Sequence, residues 1–162
     1  MAELKDTNIN GTLSISATSS GEDVADVYAE LKAIKQAHQD LLDSLEDSGW
    51  LEAEILSPFT IYGSTGGIWY RKIGKWVELL GTASTQSSVN NSTTEMDMCI
   101  LPEGFRPNIA FYTLCQGSVR NIWQLTVRTD GRVQFSRYRT VDSYPTVPAD
   151  VWLPFHTTFS VL

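Results

Sequence analysis

Residues 24–48 read VADVYAELKAIKQAHQDLLDSLEDS. Apolar side chains recur there at alternating steps of three and four: Val24, Val27, Leu31, Ile34, then His38, then Leu41 and Leu45. The spacing is that of a heptad seam, with Val24, Leu31, His38 and Leu45 in a positions and Val27, Ile34, Leu41 and Ser48 in d positions. Charged residues from Asp26 to Asp47 occupy the other faces. A helix of this length is about 38 Å long at 1.5 Å per residue, and so narrow a stripe predicts packing against copies of itself. Leu in a with β-branched residues in d favours three or four strands over two, and Glu30 in g facing Lys35 in e of a neighbour suits a parallel arrangement. In a trimer three His38 rings would meet at the axis, so such a stalk is expected to loosen below about pH 6. Ser19 with Glu22 reads as a capping box and Gly49 as a stop. The alternative reading is an amphipathic helix packed on its own domain.

The composition changes at Gly49. Through Glu54 there are 12 acidic residues against Lys5, Lys32 and Lys35; from Ile55 onward there are 7 acidic and 9 basic residues, the two parts making up the net charge of −7. Of the 17 aromatic residues only Tyr28 precedes Trp50. The pattern predicts an N-terminal arm (1–20), a coiled-coil stalk helix (21–49) and a separate body (50–162). An acidic stalk lacks the clustered basic face that nucleic-acid binding needs. No apolar run is long enough for membrane insertion, and the first residues lack the apolar core of a signal peptide, so synthesis in a cytoplasm is expected. Cys99 and Cys115 lie in apolar surroundings and read as buried free thiols.

Within the arm, Asn8 to Ser16 contains Asn-Gly followed by alternating apolar residues, a short strand or extended segment, and Ala17 to Gly21 is a loop. After Gly49 the hydrophobic period becomes two. Glu54–Tyr62 is strand-like but broken by Pro58. Ile68–Ile73, Gly74-Lys75 and Trp76–Ala83 read as a hairpin. Ser84–Thr94 is a polar loop, and Glu95–Leu101, Ala110–Gln116 and Asn121–Thr129 are strands. Thr129-Asp130-Gly131-Arg132 turns into Val133–Arg139, and Val151–Leu162 is a final strand interrupted early by Pro154. About eight short strands without an intervening helix indicate an antiparallel β-sandwich, jelly-roll-like, carried on the helical stalk.

Catalytic motifs are sparse. His38 and His156 belong to no metal spacing, and there is no nucleophile elbow or phosphate-cradling loop. Glu95 and Asp97 fall on one face of a strand, as a glycosidase pair could, or simply face solvent. No cofactor is implied. Saccharide recognition uses aromatic faces together with Asn, Asp and Arg. Arg120, Asn121 and Trp123, with Arg137, Tyr138, Arg139, Asp142 and Tyr144, have that composition and flank loops. The same residues also read as core (Trp123) and as a strand's solvent face (Arg137, Arg139). Arginines would suit an acidic or phosphorylated glycopolymer.

The segment Ile100-Leu101-Pro102-Glu103-Gly104-Phe105-Arg106-Pro107, followed later by the Asp130-Gly131 turn, resembles the loop found in receptor-binding and baseplate tail-tip proteins of phages infecting Gram-positive bacteria. The sequence of arm, short coiled coil and compact β head is similar to the receptor-binding proteins of lactococcal-type siphophages. That resemblance implies a homotrimeric virion protein, docked to other baseplate proteins by its arm and binding host cell-wall saccharide with its head. A structural baseplate subunit whose head binds another virion protein is the alternative, and a cell-wall glycan hydrolase a third reading. The loop also has a physical role: Pro102 ends a strand, Gly104 permits positive φ, Phe105 plugs the end of the sandwich, and Pro107 bars helix formation at Arg106.

Overall fold

A computed structural model describes residues 24–90, 94–118, 121–139 and 146–161. The predicted arm and the capping box at Ser19 and Glu22 lie outside the described residues. The chain divides into two units between Asp43 and Ser44.

The first unit's described part is helix α1 (Val24–Asp43), which begins at the first seam residue and carries Asp26 in its first turn, where a carboxylate suits the helix dipole. Gln36 Nε2 donates to Asp40 Oδ1 at 2.8 Å and Gln39 Nε2 to Asp43 Oδ1 at 2.9 Å, each linking residues one turn apart. Val27, Leu31, Ile34 and Leu41 are each more than half exposed, and His38 shares that exposed surface.

The helix stops at Asp43, five residues short of the predicted end, which removes Leu45 and Ser48 from the seam. Tertiary hydrogen bonds replace the helical ones there. Gly74 N donates to Glu46 O at 2.9 Å, Ser48 N to Lys72 O at 2.9 Å, and Asp47 forms a bridge with Ile73. Residues 44–48 therefore belong to the head.

Among its described residues the head has nine antiparallel strands: β1 (Leu51–Glu52), β2 (Phe59–Ile61), β3 (Gly67–Ile73), β4 (Trp76–Thr85), β5 (Met96–Ile100), β6 (Phe111–Gln116), β7 (Ile122–Val127), β8 (Arg132–Arg139) and β9 (Leu153–Ser160). One sheet has the order β1-β3-β4-β2, with β9 on the other side of β4; the second has the order β5-β8-β7-β6. The second sheet is a Greek key read in reverse. β6, β7 and β8 form a meander, and the long connection 101–110 carries the chain from β5 at one edge to β6 at the other.

The segment 53–58, which holds Pro58, divides the expected strand over residues 54–62 and joins the sheets: Ala53 N bonds Ile68 O at 2.8 Å and Leu56 N bonds Met98 O at 2.8 Å. β4 runs two residues further than expected, and Ser84 and Thr85 are buried. Pro154 does not interrupt the last strand, since it pairs with Thr82 inside β9. Among the described residues β9 pairs only with β4, and an edge strand tolerates a residue that donates no hydrogen bond.

Period-two alternation fills the space between the sheets with Ile68, Val77, Leu79, Leu125, Val127, Val133 and Leu153. Aromatic rings knit the layers. Phe59 meets Phe135 with centroids 5.6 Å apart, Trp123 meets Phe155 at 5.9 Å, and Phe111 meets Phe159 at 5.4 Å. Cys99 and Cys115 are buried free thiols, as the sequence suggested.

The connection 101–110 behaves as its residues require. Gly104 has φ +85°, and Phe105 packs edge-on against Tyr70 with centroids 4.9 Å apart. Lys72 lies over the same ring at 5.7 Å, and Arg106 Nε donates to Leu101 O at 2.9 Å. Gly131, with φ +90°, sits so close to this connection that a Cβ would lie 2.4 Å from Leu101 O.

Candidate functional site

Strand register sorts the head's loops to two ends. The head's first residues, Ser44–Ser48, lie on the β3–β4 turn. β4 leads from that turn to Thr85 at the opposite end, and there Asp150 N donates to Thr85 O at 3.0 Å while Thr85 Oγ1 donates to Pro148 O at 2.7 Å. A bridge between Val89 and Val147 adds the start of the β4–β5 loop to the same end. The β6–β7 loop joins them, because Trp152 N donates to Ser118 Oγ at 3.1 Å. These contacts fasten three connections into one surface, remote from where the chain enters the head.

Local chemistry explains the shape of the β6–β7 loop. Gly117 N donates to Asn121 O at 2.7 Å and Asn121 N to Ser118 O at 3.0 Å, closing a tight turn. A Cβ at Gly117 would approach Trp152 O to 3.0 Å, so the small residue lets the two loops touch. The half-buried Asn121 then donates from Nδ2 to the phenolic oxygen of Tyr138. Burial pushes the Tyr138 hydroxyl above its ordinary range, and the Asn121 hydrogen bond opposes that shift.

The sequence-derived candidates separate here. Trp123 is 0 % exposed and stacks in the core against Phe135, so its ring has no face for a ligand. Tyr138, 1 % exposed, is likewise internal and acts through Asn121. Arg137 and Arg139 are exposed, and Arg139 pairs with Ile122 beside the β6–β7 loop. A bulge in the β7–β8 ladder makes this possible. Arg137 takes φ +53°, which resets the alternation and turns Tyr138 inward while both arginines face out. Arg120, Asp142 and Tyr144 lie outside the described residues.

Trp152, 38 % exposed at this end, was missed by the sequence reading. Its signal was the alternation of Val151, Trp152 and Leu153, in which the two flanking residues are buried. An exposed indole at the same end of the head as an amide and a guanidinium offers donor and stacking groups suited to a polyhydroxylated or anionic ligand.

Other candidate chemistry has local partners. Arg128 lies 3.9 Å from Glu95; Asp97 accepts from Gln134 Nε2 at 2.7 Å and lies 3.8 Å from Arg132. His156 Nε2 is 2.9 Å from Glu78 Oε1. Among the described residues no group of three or more His, Cys, Asp or Glu is placed to hold a metal, and no helix is long and apolar enough to cross a membrane.

Among solved structures, the head domain of the receptor-binding protein of lactococcal phage bIL170 superposes with a TM-score of 0.51 at 17 % identity, over 70 % of this chain and 97 % of that one. The chain is similar in fold to a phage receptor-binding head. The receptor-binding protein of Listeria phage PSA aligns at 12 % identity with a TM-score of 0.49, over 87 % of this chain and 82 % of that one. No family model and no curated protein matches the sequence. The likeness to the bIL170 head is one of fold, at 17 % identity.

Proposed function

We propose that this chain is a phage tail-tip receptor-binding protein, a homotrimeric adhesin whose β head binds host cell-surface saccharide and whose N-terminal arm docks on the baseplate. The fold carries the reading: 97 % of a lactococcal phage receptor-binding head has a counterpart in this chain. Two further features support it. The exposed seam of α1 calls for copies of the same helix. The surface bearing Asn121, Arg139 and Trp152 sits at the end of the head opposite its first residues, where a tethered head meets a target.

Copies gathered by the stalk present several weak sites at once, and avidity then supplies attachment strength that no single site needs. Saccharide C–H faces would stack on Trp152, while hydroxyl or phosphate oxygens would take hydrogen bonds from Asn121 and Arg139.

The test is adsorption. Purified full-length chain should bind intact Gram-positive host cells and reduce phage adsorption in competition, and Arg139→Ala and Trp152→Ala should weaken binding without changing the melting temperature. A chain that binds no cells but co-purifies with another tail protein would be a structural baseplate subunit instead.

A further inference from the structure

We propose that the outer face of the five-stranded sheet beside the β3–β4 turn, formed by Trp50, Ile73 and Trp76, is the surface by which the head packs on the head of a second copy. This rests on the self-association proposed above and names the head surface that serves it.

Ile73 and Trp76 are direct cross-strand partners, so both side chains project from the same, outer face. They are 38 % and 52 % exposed, and Trp50, 44 % exposed, adds a second indole. The face is apolar at its centre and carries polar and charged groups at its margins. Arg71 lies 5.8 Å over the Trp50 ring and is held by Asp47, while Glu78 faces His156 at 2.9 Å. At the turn itself the exposed Lys75 and Glu46 add one charge of each sign. A margin that carries both signs of charge does not demand an oppositely charged partner, which suits contact between identical chains.

Covalent connection selects the occupant. The residue after the helix, Ser44, has its carbonyl oxygen where a Cβ on Gly74 would reach within 1.8 Å, and Glu46 O accepts from Gly74 N. The chain thus passes from the helix to the β3–β4 turn within one to three residues, each spanning at most about 3.6 Å. Helices packed through their seams lie about 8–10 Å apart. Copies joined by the seam must therefore bring their β3–β4 turns, and the tryptophans beside them, near one another.

Hydroxyl-radical footprinting of the full chain, read residue by residue by mass spectrometry, tests this. The reference is a variant with the seam broken by Leu31→Asp and Ile34→Asp, and light scattering reports the mass of each sample against the 18.0 kDa chain. In assembled wild type, oxidation of Trp76 and Trp50 should fall several-fold relative to the seam variant, while Trp152, at the opposite end, oxidises equally in both. Assembled wild type with Trp76 oxidised as fast as in the seam variant overturns this inference and leaves the assembly intact. A wild type with the mass of one chain overturns the assembly reading, and this inference with it.

Discussion

Arg71 grips Asp47 through two hydrogen bonds, Nε to Oδ1 at 2.8 Å and Nη2 to Oδ2 at 2.6 Å. The pair clamps the chain's approach to the head against β3, and Asp47 Oδ1 also accepts from Gly49 N at 2.9 Å. The Arg71 hydrogen bonds hold the Asp47 carboxyl below its ordinary value of 3.8. A carboxyl whose folded pKa is depressed stabilises above its unfolded value and loses that contribution as pH falls through the folded one. Asp47→Asn should lower the melting temperature slightly at neutral pH, since both partners are exposed. The gap between variant and wild type should close as pH falls below 3.8, and a pH-independent gap in thermal melts would assign the effect to something other than ionisation.

Gly74 is required twice over, by φ +55° and by the Ser44 carbonyl in the space of its missing Cβ. Gly74→Ala should cost at least about 1 kcal/mol from the left-handed backbone alone. It should also displace residues 44–48. Limited proteolysis should then cut between the helix and β1 faster in the variant than in wild type.

Trp123 and Arg139 were candidates of equal standing on sequence, and they should now behave in opposite ways. Trp123→Ala removes a fully buried ring touching Phe135 and Phe155 and should destabilise the head by about 3–5 kcal/mol in denaturant titration. Arg139→Ala should leave the denaturation midpoint in place and change only cell adsorption.

Arg137 occupies a left-handed conformation that a β-branched side chain resists. Arg137→Val should destabilise the head by about 1–3 kcal/mol, whereas Arg137→Gly should be tolerated. Equal midpoints for the two variants would mean that the bulge relaxes without cost.

The two cysteines should be silent in the folded protein. Burial pushes the Cys99 thiol to about 12, with Asp97 adding to the shift, and burial pushes Cys115 to about 11. Iodoacetamide at pH 8 should label neither until denaturant unfolds the head, as mass spectrometry would show. Because both thiols ionise more readily when unfolded, their contribution to stability is complete below about pH 9 and is lost as pH rises towards 11 and 12.

The sequence by itself determined the strands, because alternation is a local property. The β3–β4 hairpin came out nearly residue for residue, and the Asp130-Gly131 turn lies between β7 and β8 as expected. It also determined the apolar stripe of α1 and the buried cysteines. Tertiary structure decided the rest, for reasons that lie far apart in the chain. α1 ends at Asp43 because β3 offers Asp47 and Ser48 better partners than another helical turn would. Pro154 sits inside a strand because that strand is at an edge. Alternation also left open which side of β8 faces the core. The bulge at Arg137 settles that, burying Tyr138 and freeing the two arginines. The candidate surface exists only because the Greek-key order and the long β4 bring residues 85–89, 117–118 with 121, and 146–152 to one end of the head. Local sequence specifies what each strand can bury, and only long-range pairing specifies which loops become neighbours.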